Sequence, residues 1–65
     1  MPPKYLVIDS LARKTFQANS LKKAVKIAKK CRKSEVYKYS TKINAFLRVR
    51  KYAHGKLIWK NPFDG

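Results

Sequence analysis

The chain has 65 residues, 45% hydrophobic and 12% aromatic, with only two glycines, a composition that specifies one small folded domain over residues 1–65 with frayed ends and excludes low-complexity disorder. Seventeen Lys and Arg stand against three acids, Asp9, Glu35 and Asp64, for a formal net charge of +14; self-repulsion of that size opposes compaction and makes a polyanion the expected partner. A lone cysteine, Cys31, excludes an internal disulfide, and the longest apolar run, Tyr5 to Ile8, is too short for a signal peptide or a membrane span, so a soluble cytoplasmic protein with no membrane partner is expected.

Pro2-Pro3 keeps the first residues extended. Residues 4–9, KYLVID, are short and rich in β-formers and predict a first strand, apolar on both faces and therefore internal or covered. SLARK follows as a turn. KTFQA predicts a second strand centred on Thr15, Phe16 and Gln17, and neighbouring short strands of this kind pair as an antiparallel hairpin.

Asn19 or Ser20 caps a predicted helix. Leu21, Ala24, Val25, Ala28 and Cys31 recur at helical spacing on one side, with Ile27 at the edge. Lys22, Lys23, Lys26, Lys29, Lys30 and Lys33 fall on the opposite side, and Arg32 projects near the apolar edge. This arrangement costs stability. Lys22 and Lys23 stand at the positive end of the helix dipole, each disfavoured by up to about 1 kcal/mol. The i,i+4 lysine pairs repel by about 0.2–0.5 kcal/mol each. Lys23 also occupies the position where a glutamate would complete a capping box. A helix selected for stability alone would carry acids here, so the lysine face is read as a surface for anions.

SEVYKYSTK predicts a third strand from about Glu35, with Val36, Lys38 and Ser40 alternating with Tyr37 and Tyr39, and a turn around residues 40–42. INAFLRVRKY predicts a longer fourth strand. Ile43, Ala45, Leu47 and Val49 share one parity, which suits a core face. Asn44, Phe46, Arg48, Arg50 and Tyr52 share the other. His54-Gly55 marks a hairpin, and KLIWK predicts a fifth strand with Leu57 and Trp59 on one face and Ile58 on the other. A turn in NPFDG closes the chain. The order β-β-α-β-β-β predicts an α+β domain: a small antiparallel sheet with one amphipathic helix packed on one face.

Catalysis has little to work with. One histidine, one cysteine and three scattered acids match no nucleophile motif and fall short of the three or four ligands a zinc site needs. The two glycines, Gly55 and Gly65, cannot build a phosphate loop. No enzyme activity, cofactor or metal is expected. Two cationic surfaces remain. The helix lysines suit phosphate contacts, but their face carries no Arg, Asn or Gln for bidentate base reading. The strand face of Phe46, Arg48, Arg50 and Tyr52, which Tyr37 or Tyr39 could join, alternates aromatic and cationic groups that can stack on bases and hold phosphates; the alternative, which period-two patterning does not separate, is that Phe46 and Tyr52 lie in the core under the helix and Leu47 and Val49 face outward. The expected function is nucleic-acid binding of low sequence specificity, DNA ahead of RNA, through Lys22, Lys23, Lys26, Lys29, Lys30, Lys33, Arg48, Arg50, Tyr52 and Phe46. The alternative is a small viral or phage-type protein that docks on an acidic host protein, such as a polymerase or nuclease, drawn in by opposite charge.

Overall fold

The computed structural model describes residues 3–62. In chain order the elements are β1 (Tyr5–Asp9), β2 (Lys14–Ala18), α1 (Leu21–Lys30), β3 (Lys33–Ser40), β4 (Ala45–Ala53) and β5 (Lys56–Lys60). The strands form one antiparallel sheet in the order β2-β1-β3-β4-β5, and α1 packs on one face of it. This is the α+β arrangement that the patterning predicts. No helix among the described residues is long and apolar enough to cross a membrane. The expected fraying concerns residues 1–2 and 63–65, which lie outside the described residues, as does most of the expected closing turn.

Each turn has a local cause. After β1 the Asp9 carboxylate accepts hydrogen bonds from the amides of Leu11 and Ala12 at 3.1 and 3.0 Å, which folds the loop back so that Arg13, at φ 54°, can lead into β2. Between β3 and β4, Asn44 takes φ 53° and its Oδ1 accepts the hydroxyl of Tyr39. Between β4 and β5, His54 and Gly55 both take positive φ, 51° and 77°, the geometry that a two-residue hairpin turn requires.

The helix comes close to the sheet because its inner residues are small. Ala24 and Ala28 are wholly buried against Val7 and Val36, and Ala18, Val49 and Tyr52 complete the core, with Tyr5, Phe16, Val25 and Ile27 at its margin. Burying a valine side chain fully contributes about 1.5–3 kcal/mol, so Val7 and Val36 are principal anchors of a small core. Ser34, the one buried polar side chain among the described residues, donates from Oγ to the Ala28 carbonyl at 3.1 Å, a second hydrogen bond to a carbonyl at the helix end that the Cys31 amide also reaches.

Cross-strand partners share a sheet face, so the register sorts the side chains. The helix side carries Tyr5, Val7, Phe16, Ala18, Ser34, Val36, Val49 and Tyr52. The other side carries Leu6, Ile8, Glu35, Tyr37, Tyr39, Phe46, Arg48, Lys51 and Trp59, and no described element lies over it. The helix lies mainly against β1, β3 and β2 and hardly reaches β4. That corrects the expected core face of the fourth strand. Ile43 precedes β4 in the turn and is 55% exposed, Leu47 is 45% exposed, and Ala45 is exposed too, so only Val49 of that set is buried.

Candidate nucleic-acid interface

Helix α1 begins at Ser20, whose extended backbone (φ −144°, ψ 156°) and side-chain oxygen, accepting from the Lys23 amide at 3.3 Å, make the N-cap. No acid stands in the first turn; Lys29 and Lys30 stand in the last, where the dipole favours them. Lys22, Lys23, Lys26, Lys29 and Lys30 are all exposed on this helix. Lys33 is not one of them. The helix stops at Lys30, because Cys31 turns to extended geometry (φ −92°, ψ 147°) while its amide bonds the Ala28 carbonyl. The chain then leaves the helix axis, and Lys33 opens β3 opposite Ala53, two residues earlier than the patterning predicts.

The four-residue strand constellation is divided by a bulge. Val36 pairs with Arg50 and Tyr37 pairs with Arg48, so Val49 is an extra residue with no partner on β3. An inserted residue reverses the parity of everything after it. Phe46 and Arg48, before the bulge, face the uncovered side of the sheet. Arg50 and Tyr52, after it, face the helix side, and Tyr52 is only 2% exposed, inside the core. Tyr52 is therefore a core residue and offers no ring to a base. Asn61 completes this irregular stretch, its amide bonding the Val49 carbonyl at 2.9 Å and its side-chain nitrogen donating to the Arg48 carbonyl at 3.1 Å. A second irregularity lies in β5. Lys51 pairs with Trp59 and Tyr52 with Leu57, which leaves Ile58 over and puts Leu57 and Trp59 on opposite faces, not on the shared face that alternation predicts.

The first bulge brings Arg50 to the lysines. Arg50 lines an open groove beside α1 together with Lys22, Lys26 and Lys29, over a floor of Leu21 and Val25. Its Nη1 donates to the Tyr52 hydroxyl at 3.3 Å, and its Nε is buried with no hydrogen-bond partner among the described residues. Four cations from two elements thus converge along one groove. Lys23 and Lys30 do not line it and extend the charge outward around the helix.

The uncovered face holds a second cluster. Arg48 Nη1 pairs with Glu35 Oε2 at 2.8 Å, and its guanidinium lies 5.2 Å from the centre of the Trp59 ring. Tyr37 is its partner on β3. One rung along, Tyr39 and Phe46 meet edge to face at 5.2 Å between ring centres. Trp59 was not among the sequence candidates. The signal for it was weak, because strict alternation ties it to Leu57, and only the bulge at Ile58 frees it to this side.

The two described acids are both engaged within the fold. Glu35 holds Arg48. Asp9 holds the first turn; the Ala12 amide does most to lower its pKa, desolvation opposes it, and the Leu11 amide, the Cys31 thiol and Lys14 add to the lowering. Arg48 is the only cation in an ion pair among the described residues. The Cys31 thiol is buried, donates toward the Ile27 carbonyl at 3.5 Å, and is raised in pKa by burial first and by the nearby Asp9 carboxylate second, the opposite of what activates a nucleophile. Comparison with protein-family models, with curated proteins and with solved structures gave no match.

Proposed function

We propose that this chain is a non-catalytic nucleic-acid-binding protein of low sequence specificity, with DNA ahead of RNA as ligand. The observation that carries this reading is the convergence of Lys22, Lys26, Lys29 and Arg50 on one groove with no acid among its lining residues. Lysine ammonium groups are strongly hydrated point charges that follow a phosphate backbone and do not select bases. The groove has one arginine for bidentate contacts, and Tyr52 already occupies part of its donor set. The repulsion built into α1 is offset when phosphates lie along it. A buried free thiol suits a reducing cytoplasm.

The test is a salt titration of labelled duplex DNA, single-stranded DNA and RNA. Neutralising four to six phosphates gives a slope of log K against log salt of about −3.6 to −5.4 on duplex. Replacing Lys22, Lys26 and Lys29 with glutamine lowers affinity about tenfold or more and flattens that slope by about 2.7, with the fold retained because all three are exposed. An unchanged slope removes the groove from the interface.

The second reading, docking on an acidic protein, draws on β5. It is an edge of the sheet, exposed at all five residues, with Lys56 and Lys60 at its ends, and such an edge can accept a strand from a partner. Absence of nucleic-acid binding, with capture of an acidic protein that a proline at Ile58 abolishes, favours this reading.

A further inference from the structure

The uncovered face of the sheet does not belong to the phosphate groove, which lies on the helix side. We propose that this face is a stacking platform for single-stranded nucleic acid, built by Tyr37, Tyr39, Phe46 and Trp59 around Arg48. The proposal rests on the nucleic-acid reading above and specifies the strand state of its ligand.

Three observations carry it. First, the aromatic groups form two successive rungs. Tyr39 pairs with Phe46, and Tyr37 pairs with Arg48, which lies over Trp59. The rungs are two residues apart along β3 and β4, about 6.8 Å at the rise of an antiparallel strand. Neighbouring bases within a duplex strand are 3.4 Å apart. The platform therefore repeats at twice the stacked spacing and accepts bases that have been separated from one another, which a single strand supplies and a duplex does not.

Second, the charge around the rings complements a phosphodiester chain. Lys33, Lys51 and Arg48 share this face, and Glu35, its one acid among the described residues, is held by Arg48. A second copy of the chain or any other basic partner would meet repulsion here, and an apolar partner would have to bury those charges. Third, Arg48 is poised for exchange. Its side chain is 42% exposed, so a phosphate can take over guanidinium contacts from Glu35 while the cation stays against the Trp59 ring. Trp59 itself is 37% exposed and Ile58 beside it 57%, leaving ring surface open to a base.

Trp59 is the only tryptophan in the chain, so its fluorescence reports the platform directly. A ten-residue oligothymidylate, and in parallel a ten-residue oligouridylate, is titrated at fixed salt against a ten-base-pair duplex as control. The expected result is strong quenching of Trp59 by the single strands and little by the duplex. Phe46→Ala, verified as folded by circular dichroism, should lose about fivefold or more in single-strand affinity with duplex affinity unchanged. Trp59→Leu, followed with labelled oligonucleotide, should behave like Phe46→Ala.

If both nucleic acids bind with Trp59 silent and both variants bind like the parent, the platform is wrong. The groove reading then stands, provided the Lys22, Lys26 and Lys29 replacements still lower affinity and flatten the salt slope. If neither single strand nor duplex binds at moderate salt, both readings fall. A free protein that sediments as a dimer with Trp59 already shielded from acrylamide overturns the platform in favour of self-association.

Discussion

At the scale of single residues, two positions hold local geometry that a substitution exposes. Gly55 sits at φ 77°, and a Cβ there would stand 3.4 Å from the Lys29 carbonyl oxygen, so the hairpin turn is both left-handed and close against the helix end. Gly55→Ala is expected to cost about 1–2 kcal/mol through backbone strain, read as a shift in the urea midpoint; an unshifted midpoint would contradict the turn. Asp9 makes a prediction about pH. Its folded pKa lies below the unfolded value because the folded carboxylate accepts the amides of Ala12 and Leu11. The stability it contributes is thus fully present above the unfolded value of about 3.9 and is lost as pH falls through the lower folded value. Urea melts between pH 5 and pH 2 should show this acid limb, and Asp9→Asn should reduce it. A variant with the same acid limb as the parent would mean the turn does not depend on the carboxylate.

At the scale of elements, the bulge in β4 decides which aromatic is core and which is surface. Tyr52→Ala is expected to cost about 3 kcal/mol or more, as removal of a large buried ring does, whereas Phe46→Ala should lose about 1 kcal/mol, mostly its edge-to-face contact with Tyr39. Equal losses in thermal melts would mean that the strand keeps a single parity. The same bulge marks how far the sequence is legible. The start of helix α1 is readable almost to the residue, because the Leu21, Ala24, Val25, Ala28 spacing and a cap at Asn19 or Ser20 agree with each other, but its end is not. The five strands and their antiparallel order were readable from short β-rich runs between turn residues. The lysine groove was half readable: its helix side follows from periodicity, but Arg50 joins it only through an inserted residue. The insertion shows once burial is known: Val49 and Tyr52 are both core residues at opposite parity within one strand, and an unbroken strand covered on one face alone cannot bury both. Period-two reading assumes an unbroken strand, so it grouped Phe46, Arg48, Arg50 and Tyr52 on one face. The stop at Lys30 was missed for a related reason, since Lys33 continues the helical pattern although Cys31 ends the helical backbone.

At the scale of the whole molecule, the fold sets a net charge of +14 on a body with a Cα radius of gyration of 10.9 Å, with both described acids already engaged. Screening should therefore stabilise it. The thermal midpoint is expected to rise by several degrees between about 10 and 300 mM salt, as the Debye length shrinks below the spacing of the surface cations; a flat or falling midpoint would show that the lysines hardly feel one another. The strand order has a consequence of another kind. Three of the four ladders join strands that are neighbours in sequence, β1 with β2, β3 with β4 and β4 with β5. Only the β1–β3 ladder joins distant strands, Tyr5 to Lys38 and Asp9 to Ser34, with all of β2 and α1 between them. The sheet is thus two locally assembled halves joined by one ladder, with α1 packed across both. Hairpins form in about 1–10 μs, but the β1–β3 ladder must first close the long loop between its strands, so folding is expected to be slower than either hairpin alone and to be set by the meeting of the two halves.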